Sequence, residues 1–309
     1  MGLKPFTINV TDLEEPCEDI FTGFGPCARS SDGKVYPQFI SEDLSFKFKY
    51  EYDLCALPKG SNNLVSFSMA GSNQSGNNLP RVPEGEFGYN WQIKQYLELL
   101  KEAECFAFPE RDLFFYTDVG FADFFQLVDF IINNQVVDII QYFDNYVTQA
   151  VNNIKNLFSN GLARTMYVQL IDSATIKLMP VYEKLLCATQ GFIDQVLDDF
   201  QLAQEDLKNK LDAFAQLPQI NFDLTVLFSS DLFNEITQFP EAFGITNDST
   251  MIDLGWPDQI FANKLWFDDV HPSAHTHRVI ANFVETWFQQ KICQIKCDVC
   301  RGKHYDWKC

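Results

Sequence analysis

Apolar positions along this chain fall into two alternating rhythms. Short runs of β-favouring residues are followed by longer stretches in which apolar residues recur at three and four. A short extended run at Phe6–Val10 opens the series, and a Gly/Pro/Ser-containing loop spans Gly23–Gly33. Val35–Leu44 then carries helical spacing with Pro37 near its start, where proline is tolerated. Leu64–Met69 reads as a strand ending in a small, polar, glycine-rich turn at Ala70–Asn78. Trp91–Glu102 is helical by period, and Asp112–Val119 is a compact apolar run suited to a buried strand. From Phe121 to about Leu157 the helical rhythm persists, with Gly161 as a stop. Thr165–Ile171 is a strand. Phe192–Phe214 is an amphipathic helix with Ile193, Val196, Leu197, Phe200, Leu207 and Leu211 on its apolar face. Phe222–Phe228 is a further strand, and Thr276–Gln289 a last helix.

Strands that alternate with helices of ten or more residues imply crossover connections, and hence a mostly parallel sheet covered on both faces. The expected class is α/β. Ligands of such sheets sit at the carboxyl ends of the strands, so the loops at Asn9, Gly71, Gly120 and Asp268 are expected to converge.

Composition narrows this picture. With 309 residues, 46% of them hydrophobic, the chain can bury one large core, and thirty Phe residues are read as filling it. A formal charge of −19 argues against nucleic acid and anionic membrane surfaces as partners, because phosphate contacts need clustered Lys and Arg. Acidic and amide residues interrupt the most apolar stretch, Phe121–Phe143, so no transmembrane segment is expected. Met1–Asn9 contains no signal-peptide core. Nine cysteines and sequons at Asn9, Asn73 and Asn247 nevertheless favour a secreted, extracellular glycoprotein whose leader is missing from this sequence. Cys293, Cys297, Cys300 and Cys309 crowd a tail, taken as residues 291–309 beside a main domain at 1–290. With His304 among them, disulfides are favoured there over zinc. That tail is also a candidate surface for a protein partner. The odd total leaves one thiol unpaired, and Cys187 is the candidate.

Candidate chemistry concentrates in Trp266-Phe-Asp-Asp-Val-His-Pro-Ser273, just ahead of the last helix. Asp268, three residues before His271, is spaced to accept from the imidazole N–H and fix its tautomer, as a hydrolytic triad requires. The plainer reading is a histidine that only packs and hydrogen-bonds. His275 and His277 alternate by two and do not share a helix face, so no metal is expected, and nothing points to a cofactor.

Asp-x-x-His-Pro followed by a terminal helix resembles the last signature block of the SGNH/GDSL lipase and esterase superfamily, and the resemblance extends over nearly the whole chain. Phe239-Pro-Glu-Ala-Phe-Gly-Ile-Thr-Asn247 is similar to the family's Pro-x-x-Tyr-Gly-Phe-Thr-Asn stretch. Ser30-Ser-Asp-Gly-Lys-Val-Tyr-Pro37 resembles its Ser-Asn-Gly-x-x-Trp segment, and Leu157–Pro180, with an apolar strand followed by a proline-ended loop, its segment after the long helix. The resemblance implies a three-layer, flavodoxin-like SGNH-hydrolase fold with a central, mostly parallel sheet. It also implies a reaction on acyl esters in which His271 acts as base, Asp268 orients it, and the Gly71 N–H belongs to the oxyanion hole.

Two family positions are changed. Phe6-Thr-Ile-Asn-Val-Thr-Asp12 aligns with Phe-Gly-Asp-Ser-Leu-Ser-Asp, which puts Asn9 where the nucleophilic serine belongs. Gly120-Phe-Ala-Asp123 puts Ala122 where the oxyanion asparagine belongs. An amide is not a usable nucleophile, and losing one oxyanion donor costs on the order of a hundred- to a thousandfold in rate. The expectation is therefore an inactive or impaired member kept to bind a small acyl-ester, lipid or acylated-sugar ligand. A glycan on Asn9 would cap the mouth of such a site. The rival reading is an active carboxylic-ester hydrolase, with a nucleophile from a missing Gly-Asp-Ser segment or from Ser72 or Ser75 beside Gly71.

Overall fold

The computed structural model describes residues 36–43, 47–49, 63–65, 74, 88–94, 113–159, 165–189, 191–218, 223–245 and 264–300. The chain order is α1 (Tyr36–Asp43), β1 (Lys47–Lys49), β2 (Asn63–Val65), α2 (89–94), β3 (Leu113–Val119), α3 (Phe121–Ile132), α4 (Ile139–Ser159) and β4 (Thr165–Leu170). After these come α5 (Ser173–Leu178), α6 (Val181–Ala188), α7 (Ile193–Ala215), β5 (Asp223–Phe228), α8 (Ser229–Gln238), a 3₁₀ turn at Pro240–Phe243 and α9 (Ala274–Cys300).

All strand pairs among the described residues are parallel. β1 pairs with β2, and β3, β4 and β5 form a sheet in that order. β4 lies between two neighbours, and each of its six residues is buried, which explains a continuous apolar run in place of an alternation. Its side chains divide between two layers. Met166, Val168 and Leu170 join the core built by α3, α4 and α7. Tyr167 faces the other way, with its ring 5.3 Å from that of Trp287 on α9, and the Trp287 indole N–H donates to Thr225 on β5 at 3.1 Å. The protein is thus of the α/β class, with a small parallel sheet clothed by helices on both faces.

Every residue placed on the apolar face of the Phe192–Phe214 helix is buried in α7. Phe124, Phe143 and Phe200 pack ring against ring, with centroids 5.1 and 5.6 Å apart, so these aromatics fill the core as expected. On the opposite face a second core gathers α1, α8 and α9 around Trp266, whose ring stacks on Phe233 at 5.3 Å. An Arg278–Asp43 ion pair of 2.5 Å joins α9 to α1.

Three stretches differ from expectation. The helical rhythm from Phe121 to Leu157 is broken into α3 and α4, because Asn133 caps α3 and Asn134 takes a left-handed conformation with φ 55°. Asparagine does this more readily than most residues, and the apolar period runs straight through the break. The segment from Asp172 to Pro180, expected as a loop, holds α5. Asp172 caps that helix by accepting from the Thr175 amide at 3.2 Å and hydroxyl at 2.5 Å. The last helix runs without interruption across residue 290 to Cys300. The expected strand at Phe6–Val10 and the sequons at Asn9, Asn73 and Asn247 lie outside the described residues, as do Cys309 and His304.

Among the described residues Cys187 is a free thiol, exposed on α6. Exposure makes it a site to label under native conditions, and Cys187→Ser is expected to shift stability by less than about 0.5 kcal/mol. Thiol titration of the folded chain with and without that substitution, beside a denaturation curve, checks both points.

Candidate functional site

The Asp268–His271 turn is closed from both ends. Phe267 N–H donates to His271 O at 2.8 Å, and Ser273 N–H donates to Leu265 O at 3.1 Å. Inside it, one carboxylate oxygen of Asp268 accepts the amides of Val270 and His271 at 2.8 and 2.7 Å. Its other oxygen meets His271 Nδ1 at 2.6 Å. The spacing of three is therefore what makes the pair: a carboxylate folded back over a tight turn reaches both the backbone and the ring of the same residue. With Nδ1 engaged, Nε2 is the nitrogen left to exchange a proton with a ligand. Burial pushes the Asp268 carboxyl up, but the His271 ring and the two amides outweigh it and hold the group below its usual value.

Ser273 then starts α9 by accepting the Thr276 amide at 3.1 Å. Val181 N–H donates to Asp269 O at 2.9 Å, which fixes the turn beside the start of α6. Pro272, Trp266 and His277 line a cavity of about 20 Å³ together with Asp118 at the end of β3, Gln169 on β4 and Tyr36 on α1. The cavity has room for about one water molecule. The Asp268–His271 turn thereby sits over the carboxyl ends of β3 and β4, where parallel sheets of this class hold ligands.

Of the four loops expected to converge, those at Gly120 and Asp268 meet at this cavity. Asp118 and Pro272 share the cavity, and Gly120 caps α3 directly beyond β3. Gly71 lies outside the described residues, as do Asn9, Ser72 and Ser75. Gln74, three residues beyond Gly71, is buried at the head of α3, where its backbone N–H donates to Asp123 Oδ1 at 3.1 Å. Asn153 Nδ2 on α4 donates to the Gln74 side-chain oxygen at 3.1 Å. Ala122 is buried in the first turn of α3.

Sequence reasoning missed two buried ionisable groups and one amide. Asp123 is buried, its Oδ2 finds no hydrogen-bond partner among the described residues, and burial pushes its carboxyl up to about 7 against the pull of the Gln74 amide. His277 is also buried, stacked on Tyr36 with ring centroids 6.1 Å apart, and neither ring nitrogen finds a partner among the described residues. Burial, with the charge of His271 adding to it, holds His277 well below the usual imidazole value, so it is neutral. Its placement was readable, because it shares a helix face with Ile280, Ala281 and Val284. His275 points elsewhere, with Nε2 2.6 Å from Phe243 O.

Gln204 on α7 is the amide. Its Nε2 donates to Val119 O at 3.0 Å and to Ile171 O, and its Oε1 accepts the Tyr146 hydroxyl at 2.8 Å. One fully buried side chain thus ties the ends of β3 and β4 to α4 and α7.

The arrangement orients an imidazole at the carboxyl end of a parallel sheet. Among the described residues no hydroxyl is hydrogen-bonded to His271. No protein-family model matches the chain, and no curated protein matches it.

Proposed function

We propose that this chain is an SGNH-type acyl-ester hydrolase scaffold, secreted, whose reaction has been lost or severely impaired and whose site is kept to bind an acyl ester, lipid or acylated sugar. The observation that carries the reading is the Asp268–His271 pair, 2.6 Å apart and seated over the carboxyl ends of β3 and β4. Ala122 supports the loss of activity, since its methyl can donate nothing to an oxyanion. In a working enzyme of this kind His271 would take the proton of a serine and return it to the leaving alcohol, while Asp268 held the ring in position. Asn9, aligned with that serine, supplies no oxygen nucleophile.

Hydrolysis of p-nitrophenyl acetate and butyrate tests this. The unmodified chain is expected to turn over no faster than His271→Ala. Asn9→Ser is expected to create turnover that depends on His271, and adding Ala122→Asn should raise it at least tenfold. Turnover by the unmodified chain that disappears with His271→Ala would overturn the proposal and assign the chain to active ester hydrolases with another nucleophile.

A further inference from the structure

The turn between α3 and α4 is apolar on both its inner and outer sides. Ile131, Val137 and Ile139 pack against the main core, whereas their immediate neighbours Ile132, Val136 and Ile140 stand in solvent at 45%, 103% and 70% exposure. The inner set packs on the core, and the outer set is left facing solvent. Three aliphatic side chains exposed within nine residues also differ from Phe192, Leu202, Leu217 and Phe239, which are exposed singly along the chain.

Position adds to this. Tyr142, in the first turn of α4, donates its hydroxyl to Asp123 O at 2.8 Å and lies 3.0 Å from the Gln126 side-chain oxygen. The start of α4 therefore stands beside the start of α3, at the same end of the sheet as the Asp268–His271 turn.

Two physical limits select the occupant. A stable protein interface engages about 20–30 residues on each side, far more than three side chains on one turn provide. Binding at the boundary of a lipid layer scales with the apolar area buried and needs no matching partner surface. Charge then selects the lipid. No Lys or Arg occurs between Arg111 and Lys155, while Asp129 and Asp138 flank the turn, so anionic headgroups would be repelled.

We propose that Ile132, Val136 and Ile140 dock the protein on a lipid surface of uncharged or zwitterionic headgroups. The inference goes beyond the proposed function and holds whether or not the chain hydrolyses an ester.

Co-sedimentation of the full chain with phosphatidylcholine vesicles tests it, beside a variant carrying Ile132→Ser, Val136→Ser and Ile140→Ser. The triple variant is expected to partition at least tenfold less, and Val136→Ser alone about threefold less, with unchanged circular dichroism. Replacing part of the phosphatidylcholine with phosphatidylserine is expected to weaken binding of the parent chain. Failure of the parent chain to bind phosphatidylcholine, equal binding by the variants, or stronger binding to the anionic vesicles each overturns the proposal. So does a dimer, seen by light scattering, that the triple substitution dissolves in a chain that does not bind vesicles.

Discussion

Gly120→Ala is expected to remove on the order of 4 kcal/mol of stability, a large share of the roughly 5–15 kcal/mol that holds a domain together. Gly120 sits at φ 95° where β3 turns into α3, a conformation that costs a residue with a Cβ about 1–2 kcal/mol. The added methyl would meet the Gln204 amide well inside contact distance, the Tyr146 hydroxyl at 2.8 Å and the Phe200 ring at 3.1 Å. These neighbours belong to the packed junction of four elements, so the methyl displaces the amide that Val119 O and Ile171 O share. Overpacking costs about 1–3 kcal/mol, and leaving a buried carbonyl unpaired costs a similar amount. Urea denaturation measures the loss. Combining the substitution with Gln204→Ala should cost at least about 1 kcal/mol less than the two separate losses imply, because the second change removes the group the methyl strikes. Strict additivity would show that backbone strain alone accounts for the effect.

Stability is expected to fall as pH rises from 5 to 8. Asp123 titrates near 7 in the folded chain and near 3.8 when unfolded, so between those values the folded state holds a proton that the unfolded chain has released. Raising the pH across that interval favours unfolding, and above about 7 the whole penalty is present. One unit of separation corresponds to about 1.4 kcal/mol, which puts the loss from pH 5 to pH 8 on the order of 2 kcal/mol. Glu285 acts in the same direction, since burial and the Asp43 carboxyl push it up to about 7 against Arg278. Asp268 acts oppositely but outside this window. Its lowered value gives stability above about pH 4 that is lost only as the solution becomes more acidic. Asp123→Asn is expected to flatten about half of the slope, Glu285 keeping the rest, and to be more stable than the parent at pH 8. Urea midpoints measured at four pH values decide it, and a parent chain with a flat profile would mean that Asp123 does not titrate in this range.

The sequence already contained the α/β class and the Asp268–His271 pair, for physical reasons that differ. Strand and helix periods report burial directly, which is why all six named residues of α7 and the continuous run of β4 are buried as read. The pair was legible because its geometry is local: a carboxylate three residues before a histidine in a turn has few other partners. Contacts made across the chain were not legible. Gln204 looks like one more polar position on an amphipathic helix until Val119 O and Ile171 O are placed beside it, 85 and 33 residues away. Asp123 reads as an ordinary acidic residue in the first turn of a helix, and its burial under Gln74 depends on a segment 49 residues earlier. The break at Asn133–Asn134 was hidden because aliphatic residues continue through the turn on both its inner and outer sides.

The backbone bonds that close the turn at Asp268 also bear on descent. The same carboxylate that orients the imidazole accepts two amides of its own turn, and Ser273 at the exit starts α9, so selection for folding alone preserves the aspartate and the residues around it. Histidine has less structural reason to remain, because Phe267 takes only its carbonyl. In a lineage released from catalysis, position 271 should therefore drift before position 268. A set of diverged relatives that keeps both residues would point to a continuing use for the imidazole, whether in chemistry or in holding a ligand.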